Sequence, residues 1–370
     1  MSAIIGAAHD LGIEPEKIMK FYEANWPRRI ALANSKFYTW QFLGQPRKGG
    51  QDSCHVAIDE YTRELIGVMG LNERPFNLNK REVRGAELTT WIVEAKYQGS
   101  GVGAKILLNL QETYEVLFGM NISEMALPIY LRTGFKFIRH IPRYFRVYNS
   151  ETVEKFAEIS PLSRKLIHLW KQQEEIKFCA TSPEDSDLKY VDTVMKKRFN
   201  YFSRDTEYLI WRYLAHPYFK YELKIIECPN NIGKKILIVY RIEETTAGFR
   251  ILHILDLVGD LEIMPAAISY INFSAESQNV DLADFYCTLQ PILDYFLPRG
   301  WFSTVDDQHI KVPNLFQPIE LRDPQTSSMI FWGNHSALDI FNKSNLYVTK
   351  QDCDLDRPTI LFIDENKGNV

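Results

Sequence analysis

The segment Gln98-Gly99-Ser100-Gly101-Val102-Gly103 is the part of this chain best suited to chemistry on a ligand. Its glycines let the backbone turn tightly and approach a bound group where a side chain would collide. A strand-like run, Leu88-Thr89-Thr90-Trp91-Ile92-Val93, precedes it, and a helical pattern with Val102, Ile106 and Leu110 on one face follows it. The first amides of such a helix have no intrahelical acceptor and point outward, an arrangement that can cradle a pyrophosphate. Two familiar phosphate patterns do not fit. The dinucleotide fingerprint spaces its glycines differently, and a P-loop needs a lysine after its last glycine, where Ala104 stands. An ordinary helix start is the plain alternative.

Metal and thiol chemistry have no comparable pattern. The 8 histidines, among them His55, His140, His216, His253 and His309, show no H-x-x-x-H pair, so no metal is expected. Asp352, Asp354 and Asp356 alternate like part of a calcium loop but lack its glycine and terminal glutamate. They read as a hydrogen-bonded turn, with Arg357 pairing to a carboxylate. His335, after Asn334 in a polar stretch, reads as a surface residue. The 5 cysteines, Cys54, Cys179, Cys228, Cys287 and Cys353, are odd in number and scattered, which suits reduced structural thiols.

The elements that must hold the glycine segment follow from patterning. With 45% hydrophobic and 24% charged residues over 370, the chain reads as globular and long enough for two domains. A net charge of -4 gives no general reason to bind nucleic acid. No signal-peptide pattern or membrane-spanning run is present, so a cytoplasmic protein is expected. His55 to Asp59, Leu65 to Leu71, Arg81 to Val93, Val116 to Met120 and Phe135 to Ile138 read as strands. Asn25 to Phe42, Gly101 to Glu115 and Glu124 to Arg132 read as helical, Pro128 weakening the last.

The second half repeats this order. Trp40-Gln41-Phe42-Leu43-Gly44-Gln45-Pro46 and Trp211-Arg212-Tyr213-Leu214-Ala215-His216-Pro217 share one pattern, and strands at Leu223 to Glu227, Ile236 to Glu243 and Ile251 to Val258 follow. A helix over Glu262 to Ile271, a strand over Leu282 to Phe285 and a helix over Gln290 to Leu297 complete the correspondence. Trp40 and Trp211 read as core or interface aromatics, with sugar stacking as the alternative. Where the first half has its glycines, the second reads Asp256-Leu257-Val258-Gly259-Asp260-Leu261-Glu262, whose carboxylates would repel a pyrophosphate. The expected organisation is a domain over 1–149, a helical connector over 150–185 and a second domain over 186–370.

Gln98, Gly101 and Gly103, followed by Ala126-Leu127-Pro128-Ile129-Tyr130-Leu131-Arg132-Thr133-Gly134-Phe135, resemble the GNAT acyltransferase superfamily. Over its full length, including Asp352-Cys353-Asp354-Leu355-Asp356-Arg357-Pro358, the chain more loosely resembles two-domain GNAT-like proteins of surface-sugar biosynthesis. The resemblance implies an α/β fold with a mixed sheet in tandem GNAT-like domains, the first with an intact acyl-coenzyme A loop and the second degenerate. It implies acyl-coenzyme A as cosubstrate, held by Ile92, Val93, Gln98, Gly99, Ser100, Gly101, Val102, Gly103 and Asn121 between strands that part near Val93 and Phe118. Tyr130 matches the family's proton donor to the departing thiol, a packed aromatic being the alternative. Glu87, on the approach to the gap, is the candidate base; it could equally be a solvated strand-end carboxylate, with transfer relying on proximity alone.

The expected acceptor is a small-molecule amine, by the looser resemblance a nucleotide-linked amino sugar. Peptide or protein N-acylation, and a non-catalytic coenzyme-A-binding scaffold, are the alternatives.

Overall fold

Alternating aliphatic residues in the first half build strands whose two faces serve different cores. β1 (Ala3–Ala7), β2 (His55–Asp59), β3 (Leu65–Leu78), β4 (Arg81–Val93), β5 (Val116–Met120) and β6 (Lys136–Ile138) are joined edge to edge. Val56 and Ile58 of β2 pack beneath α1 (Pro15–Asn25) and α2 (Ser35–Tyr38), while Ala57 packs on the opposite side. That opposite side is covered by α3 (Val102–Thr113) and α4 (Leu127–Arg132), through Ile106, Leu107, Leu110 and Tyr130. The computed structural model describes residues 2–170, 176–305, 310–323, 325–334, 344–352 and 356–358. His309, His335, Cys353, Asp354 and Leu355 lie outside them.

β7 (Arg143–Val147) leaves the first sheet for a second one. Then come β8 (Glu158–Ile159), β9 (Cys179–Thr181), β10 (Tyr201–Phe202), β11 (Glu222–Glu227), β12 (Lys235–Glu244), β13 (Arg250–Gly259), β14 (Leu282–Tyr286) and β15 (Phe302–Ser303). Short strands β16 (Ile310–Lys311), β17 (Leu315–Phe316) and β18 (Ile319–Glu320) precede β19 (Met329–Gly333). The strand orders are β1-β2-β3-β4-β5-β19-β6 and β15-β7-β14-β13-β12-β11-β9. Each large sheet thus contains a strand from the other half of the chain: β7 crosses to the second, β19 to the first.

The repeat read from the sequence is present in the strand geometry. β4 and β5 are parallel, as are β13 and β14, and each preceding antiparallel pair carries a register shift. A π-helical turn ends each aromatic segment, Thr39–Leu43 and Ile210–Leu214. Trp40 stacks on Trp211 at 5.0 Å between ring centroids, and each indole N–H donates to the other's carbonyl, at 3.0 and 2.9 Å. The two tryptophans therefore form the contact between equivalent turns, a packing role with both polar ends satisfied.

Some elements differ from the sequence expectation for identifiable reasons. β3 runs beyond Leu71 to Leu78, because Asn79 and Lys80 take left-handed conformations and close a hairpin into β4. The polar residues Asn72, Arg74 and Asn77 mask this extension in the sequence although all three are buried. α4 begins only at Leu127, where Pro128 fits its first turn. β9, within the expected connector, pairs with β11.

Candidate active site

The site begins with a break in the ladder between β3 and β4. Met69 faces Trp91, yet Leu71 faces Leu88, so Thr89 and Thr90 together oppose the single residue Gly70. A Cβ on Gly70 would lie 2.6 Å from both the Phe42 ring and Thr89 Oγ1, so glycine is required under the bulge. The Tyr22 hydroxyl donates to the Thr90 carbonyl at 3.0 Å, and Arg357 donates to Thr90 Oγ1. The bulge turns β4 away from its parallel neighbour. β4 and β5 pair from Gly85–Val116 to Glu87–Phe118 and no further.

The glycine segment stands at the outer end of this gap. Gln98 donates to the Val93 carbonyl at 3.0 Å, tying the loop to the strand end. Gly99 and Gly101 have φ of 78° and 86° with open space around them, so backbone conformation explains them. Gly103 has a different cause. A Cβ there would meet the Trp91 ring at 2.5 Å, so its absence lets α3 lie against the bulged strand. The amides of Val102, Gly103 and Ala104 precede the first possible acceptor in α3 and are left for a ligand.

At the inner end, Trp91 and Asn121 lie on opposite sides of the gap, with Tyr130 reaching it from α4. Tyr130 is buried, its ring edge-on to Trp91 at 5.2 Å and to Phe135 at 5.0 Å. Asn121 adopts φ 56° just after β5, and its amide donates to the Ser328 carbonyl at 2.9 Å. Thr89 Oγ1 and Trp91 Nε1 are buried with no hydrogen-bond partner among the described residues. Two orphaned polar atoms at the mouth of a gap are groups that a polar ligand can satisfy. Ile92 and Val93 are half-buried along β4 on the way to the glycine loop.

The gap opens into a cleft of about 690 Å³ that both halves line. Leu88 to Trp91, Asn121 and Tyr130 form the first-half wall; Arg241, Glu243, His253, Tyr286, Lys350 and Arg357 belong to the opposite side. The sequence reading missed these second-half residues apart from Arg357, which its terminal Asp-rich segment singled out. The others sit on strands whose isolated patterns are those of ordinary sheet. Their convergence depends on how the two sheets face each other.

Glu87 is placed differently from either sequence expectation. It does not line the cleft and it is not solvated; it is buried at 1% exposure. Arg74 donates to Glu87 and also to Asp352, and Arg204 pairs with Asp352 at 2.6 Å and with Asp256 at 2.8 Å. This alternating chain holds three carboxyls and two guanidiniums, so full ionisation leaves surplus negative charge in a dry interior. Burial accordingly raises Glu87 to about 7 despite the adjacent Arg74, and it raises Asp256 at the other end. Burial would also raise Asp352 in the middle, but its two arginines hold it below the ordinary carboxylate value.

The corresponding gap in the second half is filled by the chain itself. β13 and β14 pair from Ile251–Leu282 to Ile254–Phe285. Beyond that point Thr349 bridges Cys287, while the Tyr347 hydroxyl bonds to Asp256, the Leu257 amide and the Leu257 carbonyl. The acidic loop is also committed: Asp260 accepts from Tyr190 at 2.7 Å and Glu262 pairs with Arg198.

Among the described residues, no group of three or more His, Cys, Asp or Glu is arranged to hold a metal ion. Nor, among those residues, is any helix long and apolar enough to cross a membrane.

A bulged strand, a parted parallel pair and a glycine loop at a helix start define a GNAT-like mixed α/β fold, here with repeated sheet units. The family model described as Acetyltransferase (GNAT) family matches residues 16–132. A GCN5-related N-acetyltransferase from Anabaena variabilis is similar in fold, with TM-score 0.53 and 11% identity over 89% of this chain and 72% of that one. One from Kribbella flavida gives 0.53 and 13% over 89% and 71%. No curated protein matches the chain in sequence.

Proposed function

We propose that the protein transfers an acyl group from acyl-coenzyme A to the amine of a small acceptor, most specifically a nucleotide-linked amino sugar. The observation that carries this reading is the parting of β4 from β5 beyond Glu87 and Phe118, between the glycine loop and the two-sided cleft. Pyrophosphate lies on the amides of Val102, Gly103 and Ala104, pantetheine follows the free edge of β4, and the thioester reaches Trp91 and Tyr130. The neutral amine attacks the carbonyl carbon, the nitrogen releases its extra proton to water, the carbon–sulfur bond breaks, and Tyr130 protonates or hydrogen-bonds the leaving thiolate, regaining from water any proton it gives up. Glu87 acts through the strand it anchors, at the last paired position before the gap. One cosubstrate binds per chain, because Tyr347 and Thr349 occupy the equivalent second gap.

The amino-sugar acceptor is supported by the cleft's size and by its mix of aromatic and cationic residues. Tyr218, Phe219, Tyr286 and Phe316 offer faces for a base or sugar, while Arg241, Arg322 and Lys350 suit a diphosphate. Titration calorimetry with acetyl-coenzyme A should give a single site. A thiol-release assay should then find a nucleoside-diphosphate aminohexose acylated faster than free aminohexose or a lysine peptide, with mass spectrometry locating the acyl group on nitrogen. A faster peptide would overturn the sugar assignment, and absence of cosubstrate binding would overturn the activity.

A further inference from the structure

Four side chains, Arg143, Asp284, His253 and Glu243, form a hydrogen-bonded row across the second sheet on the face that meets the cleft. Arg241 of β12 stands opposite His253 of β13, His253 stands opposite Asp284 of β14, and Tyr286 of β14 stands opposite Arg143 of β7. Strand alternation puts Glu243 on the same side as Arg241, and Asp284 on the same side as Tyr286. The side chains meet laterally: Arg143 to Asp284 at 2.7 Å, Asp284 to His253 Nδ1 at 2.6 Å, and His253 Nε2 to Glu243 Oε2 at 3.1 Å. Side-chain exposure is 0% at Arg143, 1% at Asp284, 2% at His253 and 15% at Glu243. The row therefore ends in a carboxylate that reaches the cleft.

Glu243 is held there as an anion. Arg241 approaches Oε2 at 3.3 Å through both terminal nitrogens, and His253 bonds the same oxygen. Burial alone would raise this carboxyl, but His253, Arg241 and Lys350 hold it down at about 2. Oε1 has no hydrogen-bond partner among the described residues. In a cleft otherwise rich in Arg and Lys, this oxygen is a place where a cationic group gains a charge-assisted hydrogen bond.

Resting on the acyl-transfer reading above, we propose that Glu243 is the docking carboxylate for the acceptor's ammonium group, with His253 and Asp284 as its positioning residues. The second half then selects an amine over the hydroxyl analogue of the same molecule. A hydroxyl can donate one hydrogen bond to Oε1 but brings no positive charge. The docked ammonium must still give up a proton to water to become the neutral nucleophile; the Glu243 carboxylate opposes that loss and the like charge of Arg241 favours it, so Glu243 contributes binding and orientation rather than proton removal.

The test is steady-state kinetics of the wild type, Glu243→Gln and Glu243→Asp at saturating acetyl-coenzyme A. The acceptor is whichever proves best among a nucleoside-diphosphate aminohexose, free aminohexose and a lysine peptide, assayed beside its hydroxyl analogue. Loss of one charged hydrogen bond predicts a rise of about tenfold to a hundredfold in the acceptor KM of Glu243→Gln. The KM and calorimetric affinity for acetyl-coenzyme A should not change, and Glu243→Asp should recover part of the loss. Glu243→Gln should also lose most of the preference for amine over hydroxyl. An unchanged acceptor KM in Glu243→Gln, with the wild type active, overturns this proposal alone. A wild type that binds acetyl-coenzyme A yet acylates none of the three amines overturns the underlying reading instead.

Discussion

The hydroxyl of Tyr130 belongs to a ring fixed by two others, Trp91 and Phe135, in a buried position beside the parted strands. Removing the hydroxyl preserves this packing, which makes Tyr130→Phe an informative change. Acetyl-coenzyme A affinity should stay at the wild-type value, while single-turnover transfer falls on the order of 10²-fold if the phenol assists the leaving thiolate. Rapid-quench measurement separates transfer from binding, and an unchanged transfer rate would return Tyr130 to a packing role. The position of Tyr130 beside the gap was legible in the sequence because the motif that carries it is local: the tyrosine, the glycine and the phenylalanine lie within six residues. Glu87 was not legible. Its environment is made by Arg74, thirteen residues away, and by Asp352, which approaches Arg74 from 278 residues away. No local pattern distinguishes a buried, paired glutamate from a solvated one. Glu243 was hidden for the same reason, since its meaning depends on neighbours across three strands.

Among the elements, the loop and α3 show how glycines in one motif serve different ends. Gly101 has φ 86° and no neighbour within 4 Å of a Cβ, so a side chain there would enter open space rather than meet protein. Gly101→Asp places a carboxylate at the proposed pyrophosphate seat and adds about 1–2 kcal/mol of left-handed strain. Calorimetry should show acetyl-coenzyme A binding essentially abolished, with thermal stability lowered modestly; unchanged affinity would move the pyrophosphate elsewhere. Gly103→Ala differs in kind, because its methyl collides with the Trp91 ring. That variant should lose about 1–3 kcal/mol in urea denaturation, since either α3 or the bulged strand must shift. An unchanged midpoint would mean the ring moves freely. The elements were legible wherever apolar periodicity was undisturbed: β2, β4 and β5 lie at their expected bounds. The bulge was not, because nothing in Thr89-Thr90 alone shows that Gly70 lies opposite. The parting of β4 and β5 came from family resemblance and not from residue patterning.

At the scale of the molecule, the two halves are joined by exchanged strands and by a buried charge chain that the segment around Asp352 completes. Asp352 accepts from Arg74 of β3 and from Arg204 before the second π-helical turn, so it ties the donor strands to the second sheet. Asp352→Asn leaves two buried guanidiniums without their shared anion and should cost about 3–5 kcal/mol. Glu87→Gln should behave oppositely. With three carboxyls against two guanidiniums, the wild type retains a proton within the chain: Glu87 is raised to about 7 against 4.5 in the unfolded chain, and Asp256 is raised in the same direction. Between those values Glu87 binds more protons in the folded state than in the unfolded one, so its contribution to stability falls as pH rises, by at most ~1.4 kcal/mol per pH unit, and levels off above the folded value; the lowered imidazoles of His55 and His216 act in the opposite sense over the same range. Glutamine cannot ionise and leaves two carboxyls facing two guanidiniums, removing Glu87's part of that fall. On the acid side the lowered carboxyls, Asp284, Asp352, Asp356 and Glu243, have the reverse sign. Their contribution is complete above the unfolded carboxylate range and is lost as pH falls toward about 2, the value to which Glu243 is lowered. Urea melts from pH 3 to 9 should therefore show the wild type losing stability relative to Glu87→Gln as pH rises from about 4.5 to about 7. Glu87→Gln should keep the acid limb and exceed the wild type at alkaline pH. If Glu87→Gln is instead less stable than the wild type at alkaline pH, the surplus-charge account of this chain is wrong. Glu87 would then contribute chiefly as an ionised partner of Arg74.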